Sequence, residues 1–410
     1  MVRSFGNGRH QRTILIIACS FAAAVVIFMN RNFLTCILSS SDNDNGGDWS
    51  LSSSTSMNLI GNNSMNSNNI LDNDELIKDT LPVDDYKLNL AILKYPLKEV
   101  NCHLGLGENT KPIIMHDTGI IDWVCNNGGE KQVTKVMLHA FNEYYVASKD
   151  GNFQQKLMLD VGSNAGFYGL LAATYGLKTI AFDLQPECVA VIQNSVLVNN
   201  LVENMRVIPK GVSEEAVNET TTIIPVPDDG CDGRFPFSDG KRGSKQVFVE
   251  LHPLQYYLPS SEADDESQHE SLEIQMMKVD TEGNEKRVLV GALPFFASGK
   301  IKNAIIEVTP GHGFWSKAGI TPEEMSTTLQ TIIDGYKYAM IPLVAEGNGG
   351  FQASMLSSDI SGAQNKTTIL GEERMIFTDG KKATEYMLSK SSPTQFDIWL
   401  LPSQDLYKIT

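Results

Sequence analysis

Positive charge is in short supply in this 410-residue chain: 33 Lys and Arg stand against 49 Asp and Glu, a formal net charge of −16. Such a balance repels phosphate, and no basic patch interrupts it in the folded part, so nucleic acid is not expected as a partner. Cysteine is scarce too. Six in 410 residues are too few for a disulfide scaffold, and none forms a Cys-x-x-Cys pair or a His–Cys cluster with zinc spacing. No internal repeat is present. Disorder throughout is excluded by the 42% apolar and 20% charged content, which suffices to bury a core in most of the chain.

Two local absences organise the amino-terminal region. Residues 1–41 contain no Asp or Glu, and residues 39–75 contain no Lys or Arg. Arg3, Arg9 and Arg12 precede an unbroken apolar run, Thr13 to Met29, which as a helix would extend about 25 Å. That length suits a thin, ER-type bilayer, and basic charge before the run with Asp42, Asp44 and Asp48 after it favours a cytosolic amino end. The expectation is an uncleaved signal anchor at 13–29 behind a basic tail at 1–12. A cleaved signal or organelle presequence is the alternative. Between Ser39 and Glu75, 24 of 37 residues are Ser, Asn or Asp. A stretch of that kind cannot bury enough apolar surface to offset its ordering entropy. Residues 30–80 are therefore expected to form a disordered stalk, with 81–150 a cap segment and 151–410 the main domain. The sequons at Asn62, Asn218 and Asn365 fit a lumenal glycoprotein in the endomembrane system, or one secreted or sent to an organelle.

From residue 81 the composition becomes ordinary. Lys131 to Ser148 has apolar residues at helical spacing and is expected to cover the entrance to the next unit. Strands and helices then alternate. Strands are expected at 157–161, 179–182, 205–209, 276–279, 304–308, 338–343 and 396–401. Helices are expected at 167–175, 186–199 and, behind the capping box Thr321-Pro-Glu-Glu324, at 321–334. This pattern predicts an α/β fold with a doubly wound, mostly parallel sheet. The polar stretches 228–243 and 260–271 read as surface insertions.

The sharpest local signal is Leu159-Asp160-Val161-Gly162-Ser163-Asn164-Ala165-Gly166-Phe167-Tyr168-Gly169, a buried strand that runs through glycines into a helix. Dinucleotide loops space their glycines by two and three residues so that pyrophosphate rests on the helix amino end. Here the steps are four and three, with Asn164 between the first two glycines. Asp183 ends the second strand, where an acid can accept both hydroxyls of a ribose. Further on, Met277-Lys278-Val279-Asp280-Thr281-Glu282-Gly283-Asn284-Glu285 leads into Val288-Leu289-Val290-Gly291-Ala292, and Ile305-Ile306-Glu307-Val308 follows. Acids thus stand at successive strand ends.

Together these blocks resemble the FkbM-type methyltransferase family, over about Leu157 to Val308. The chain departs from the family's Glu-Pro after the second strand, with Asp183-Leu-Gln-Pro186 in its place, and long inserts separate the third and fourth strands. The resemblance implies a class I, Rossmann-like methyltransferase that uses S-adenosylmethionine. The cofactor would be held by Asp160, Gly162, Ser163, Asn164, Gly166, Phe167 and Asp183. The implied reaction is methylation of a hydroxyl on a sugar or small molecule, with Asp280, Glu282, Glu307 and His312 the candidates for removing its proton. No resident metal is expected, although carboxylates at 280, 282 and 307 are hard oxygen ligands of the kind that suits Mg²⁺. The partners implied are a glycan or small-molecule acceptor and, through the first helix, a membrane. Two alternatives stay open: a nicotinamide-dependent oxidoreductase on a related sheet, and a binding protein that keeps the fold without turnover. Cys102 and Cys125 could pair in a lumenal domain. Cys188 reads as a small buried apolar residue and Cys231 as a free thiol. Trp123, Trp315 and Trp399 read as core or pocket-rim residues.

Overall fold

The structure, a computed structural model, describes residues 95–102, 110–121, 124, 130–149, 156–216, 223–227, 231, 244–248, 250–258, 272–310, 313–343, 365–389 and 395–409. The expected anchor, the stalk, Trp123, Cys125 and His312 lie outside them. No helix among the described residues is long and apolar enough to cross a membrane.

Seven strands form one sheet: β1 (Lys156–Val161), β2 (Lys178–Phe182), β3 (Met205–Ile208), β4 (Glu273–Val279), β5 (Ala304–Val308), β6 (Tyr338–Leu343) and β7 (Phe396–Pro402). Their spatial order is β6-β7-β5-β4-β1-β2-β3. From β3 through β5 neighbours run parallel, and β7 is antiparallel to both β5 and β6. The inner strands are apolar almost throughout because helices cover both faces. On one face pack α1 (Lys131–Lys149), α2 (Phe167–Thr174) and α3 (Pro186–Val198), whose Met137, Phe141, Leu170 and Ile192 join a core with Met158 and Met276. On the other face, α4 (Glu285–Ala297), α6 (Pro322–Gln330) and α7 (Gly380–Leu388) bury Leu289, Met325 and Met387 against Leu159, Met277 and Ile306. The short helix α5 (Phe314–Lys317) follows β5.

The expected strands are all present, two of them (304–308 and 338–343) with the bounds read from sequence. The doubly wound class holds, with the reversed β7 as a refinement that an apolar run cannot reveal. Three readings need correction. First, α1 does not roof an entrance: Val133, Met137, Phe141 and Tyr144 are sealed in the core. Its apolar stripe is the face that docks on the sheet. Second, α6 starts with the expected capping box, Glu324 N donating to Thr321 Oγ1 at 3.2 Å and Thr321 N to Glu324 Oε2 at 2.7 Å. The α-helix ends at Gln330, and Thr331–Gly335 winds on as a π-turn. Third, Cys188 and Cys231 are neither inert nor free: they form a disulfide. A separation of 43 residues carries no spacing signal that sequence reading could have used. Cys102 is also disulfide-bonded, to a partner outside the described residues.

The stretch before α1 is built onto the same unit. Leu97–Val100 and Ile113–His116 pair antiparallel. The second of these docks on the end of α3, where Ile114 N donates to Asn199 Oδ1 at 2.8 Å and Asn199 Nδ2 donates to Ile114 O at 2.5 Å. Ile223–Pro227 and Ser244–Phe248 pair antiparallel and bracket the whole insertion expected at 228–243.

Candidate active site

Between β1 and β4 the strand order reverses: the chain winds outward through β2 and β3, then returns to the other side of β1 as β4. Open α/β sheets leave a crevice outside the carboxyl ends of the strands at such a reversal. A cleft of about 310 Å³ occupies that place.

Its floor is the turn after β1. Gly162 has φ +83°, and a Cβ there would lie 1.7 Å from the carbonyl oxygen of Asp280. The ends of β1 and β4 therefore meet closely enough that only glycine fits. Asp280 N donates to Val161 O at 2.9 Å and Gly162 N to Phe182 O at 2.9 Å, lacing three strand ends together. Asn164 follows at φ +51°. Its N–H donates to Asp183 Oδ2 at 2.7 Å, while Gln185 N donates to Asp183 Oδ1 at 2.8 Å. Asp183 thus clamps the turn after β1 to the turn after β2. Burial pushes its carboxyl up to about 7, against the pull of those backbone donors.

Of the seven residues expected to hold the cofactor, Gly162, Asn164 and Asp183 line the cleft, and Asp160, Ser163, Gly166 and Phe167 do not. The latter brace the loop from behind. Asp160, 1% exposed, accepts from Gly169 N at 2.9 Å and anchors the start of α2; burial raises its carboxyl to about 6. Ser163 Oγ donates to Asp160 O at 2.6 Å. Gly166 is the left-handed residue before α2, and Phe167 packs edge-on to Tyr168.

The opposite wall comes from the turn after β4. Asp280, Thr281, Glu282 and Asn284 line it, with Glu282 at φ +52°. One carboxylate oxygen each from Asp280, Glu282 and Glu307 lie within 4.8 Å of one another. The strand ends thus bring together three of the four expected acid–base candidates. Burial, then the charges of Asp280 and Glu282, push the Glu307 carboxyl well above its ordinary range.

Two residues essential to this turn carried no assigned role in the sequence reading. Lys278 donates to Asp280 Oδ2 at 2.7 Å. Burial lowers its ammonium, but Asp280, Glu130, Asp160 and Asp397 outweigh that and hold it well above the usual lysine value. Glu285, fully buried, accepts at Oε1 from Thr281 N at 3.0 Å and Gly283 N at 2.9 Å, and at Oε2 from Trp315 Nε1 at 3.1 Å. Both belong to the Lys278–Glu285 block, so their signal was present. Lys210 to Ser213, beyond the end of β3, line the cleft and were missed; their strand-end position was the available clue. Trp315 and Trp399 are core residues, the latter donating to Asn303 Oδ1 at 3.0 Å.

Residues 160–338, from the end of β1 to the start of β6, match the family described as the methyltransferase FkbM domain. These residues carry an FkbM methyltransferase domain. The oxidoreductase alternative falls with that match, and this methyltransferase places its glycine turn and its acids on two sides of one crevice. A search of curated proteins gives no match. Among solved structures, the bifunctional kinase-methyltransferase WbdD is similar at 10% identity and TM-score 0.33, covering 77% of this chain and 46% of its own. The chain therefore spans less than half of WbdD's length. The N-terminal domain of human METTL16 in complex with SAH is similar at 15% identity and TM-score 0.22, over 42% of this chain and 52% of that one. A putative rRNA-methylase from Clostridium thermocellum is similar at 9% identity and TM-score 0.28, over 64% of this chain and 95% of that one. Overlaps this loose carry no argument; the strand order itself defines the fold.

Proposed function

We propose that this methyltransferase takes its methyl group from S-adenosylmethionine and delivers it to a hydroxyl of a sugar or small molecule. The observation that carries the reading is the pairing, across one crevice, of the Gly162–Asn164 turn with Asp280 and Glu282, whose carboxylates gather with that of Glu307. The residues present suit the cofactor. The cleft reaches the lower end of the roughly 300–1,000 Å³ typical of small-molecule sites. Gln185, 4% exposed, lines the cleft, and its Oε1 is buried without a hydrogen-bond partner among the described residues. It stands beside Asp183, where a ribose hydroxyl or an exocyclic amine would supply the missing donor.

When bound, S-adenosylmethionine supplies an activated sulfonium methyl. The protein's task is then alignment and proton removal. Gly162 lets the ends of β1 and β4 close on each other at the floor of the cleft, Asp183 and Gln185 offer acceptors to the nucleoside, and the Asp280–Glu282–Glu307 corner provides oxygen bases for the acceptor's proton. His312, outside the described residues, remains a candidate by its sequence position after β5.

We place the domain on the lumenal side of an endomembrane, held by the 13–29 segment. The Cys188–Cys231 disulfide and the bonded Cys102 support an oxidising compartment, where such bonds persist. Protease protection of the carboxyl-terminal domain in sealed microsomes tests this part, and digestion from outside would sink it. The chemistry is tested by incubating the protein with methyl-labelled cofactor and a panel of hydroxylated glycans and small molecules. Label in a methyl ether is the expected outcome. Label on nitrogen or carbon alone would overturn the hydroxyl assignment.

A further inference from the structure

The methyl-transfer reading needs one base, yet three carboxylates converge. One oxygen each from Asp280, Glu282 and Glu307 gather within 4.8 Å at the ends of two adjacent strands. Like charges this close repel unless a proton or a cation sits among them. Lys278 neutralises this corner only in part, from the Asp280 side, and is shared with other acids. Its ammonium bonds Asp280 Oδ2 at 2.7 Å and is surrounded by Glu130, Asp160 and Asp397.

Glu307 is the decisive member. Only 8% of it is exposed, and Gln395 Nε2 donates to its Oε1. Its Oε2 is buried and has no hydrogen-bond partner among the described residues. A buried acceptor left bare destabilises the fold, and a charged one more so, so such atoms ordinarily meet a donor or a metal. Here the bare carboxylate belongs to a corner whose other two members are also carboxylates, with no Cys or His joining them among the described residues. Oxygen-only donors select hard cations over zinc or copper. Oxygens no more than 4.8 Å apart can share one ion with bonds of about 2.3–2.6 Å, and small side-chain movements would bring them to the about 2.0–2.1 Å of Mg²⁺.

We propose that Asp280, Glu282 and Glu307 form a binding site for a hard divalent cation at the edge of the cleft that Asp280 and Glu282 line, where the ion would orient the acceptor hydroxyl and make it more acidic. The second half of this proposal rests on the methyl-transfer reading; ion binding does not. The transfer balances as follows. The acceptor hydroxyl gives its proton to a carboxylate oxygen of the corner, which passes it to water; the hydroxyl oxygen would bond to the methyl carbon, and the carbon–sulfur bond would break with its electron pair left on sulfur.

The test uses the full chain, freed of metal by chelation and titrated with Mn²⁺ while electron paramagnetic resonance follows the free ion. One Mn²⁺ per chain should be taken up and be displaced by Ca²⁺ or Mg²⁺. Glu307→Gln should weaken uptake by at least about tenfold, the loss expected when one ligand is neutralised. Should Glu307→Gln fail to fold, Glu282→Gln, on the half-exposed side of the corner, reads the same loss. A free-ion signal unchanged at millimolar Mn²⁺, or equal uptake by parent and variants, overturns the site. S-adenosylhomocysteine binding is measured separately by calorimetry. Nucleoside binding without Mn²⁺ uptake removes the cation and leaves the methyl-transfer reading intact. Mn²⁺ uptake without nucleoside binding keeps the cation and removes that reading.

Discussion

Gly162→Ala puts a number on how tightly β1 and β4 meet. Two separate effects add at this position. Any L side chain held at φ +83° carries about 1–2 kcal/mol of backbone strain. The new Cβ would also lie 1.7 Å from Asp280 O and 2.7 Å from its carbonyl carbon, atoms of a strand end that cannot rotate away as a side chain could. Overpacking of this kind adds about 1–3 kcal/mol, for a total near 2–5 kcal/mol. Gly319 supplies the control: its φ is +72°, and nothing lies within 4 Å of a Cβ built there. Gly319→Ala should show the first effect alone. Urea unfolding of both variants reads the difference, expected at about 1–3 kcal/mol in favour of Gly319→Ala. Because Asp280 must move to make room, S-adenosylhomocysteine affinity should fall in Gly162→Ala by about tenfold or more while Gly319→Ala binds as the parent does. Equal destabilisation of the two variants with unchanged affinity would refute the close approach.

Other expectations follow from the same geometry. Burial lifts Asp183 to about 7, whereas an unfolded Asp titrates near 4, so between those values the folded state keeps a proton that the unfolded state has lost. Its contribution is full below about pH 4 and is lost as the pH rises toward about 7; Asp183→Asn should flatten that part of the urea-midpoint profile, and parallel profiles would contradict the assignment. Cys231→Ala opens a loop spanning 43 residues and should lower stability by about 2–4 kcal/mol, read as a shift of the unfolding midpoint that Cys188→Ala reproduces. Lys278→Met leaves Asp280 and its acidic neighbours without their buried cation and should destabilise by about 3–5 kcal/mol. A Lys278→Met protein as stable as the parent would mean that those carboxyls are already neutral.

Strands buried on both faces were legible because nothing but apolar residues can occupy them; 304–308 and 338–343 needed no revision. The crevice was legible as well, since strand ends, glycines and acids fall in register along the chain. The role of each loop residue was harder to read. Sequence marks Asp160 and Ser163 as polar residues in a ligand-type turn, but a side chain that grips the backbone behind a pocket has the same spelling as one that reaches into it. The reversal of β7 depends on pairing with β5 and β6, which composition does not encode. The Cys188–Cys231 bond joins the first turn of α3 to an insertion, a contact that only the folded chain creates; Cys231 Sγ then lies 3.1 Å from Asn164 Oδ1. For Gly162, sequence suggested space for a ligand, whereas the atom that forbids a side chain belongs to the protein itself.

The hairpin at Leu97–Val100 and Ile113–His116 has a practical bearing on any shortened version of this enzyme. Cutting at residue 151, where the alternation of strands and helices starts, would remove the main-chain partner of Asn199 and the imidazole that Asn194 meets at 2.6 Å, and would strip Met137 and Phe141 from beneath the sheet. The smallest piece expected to fold therefore begins ahead of Tyr95, some sixty residues upstream of the first strand that carries the cofactor turn.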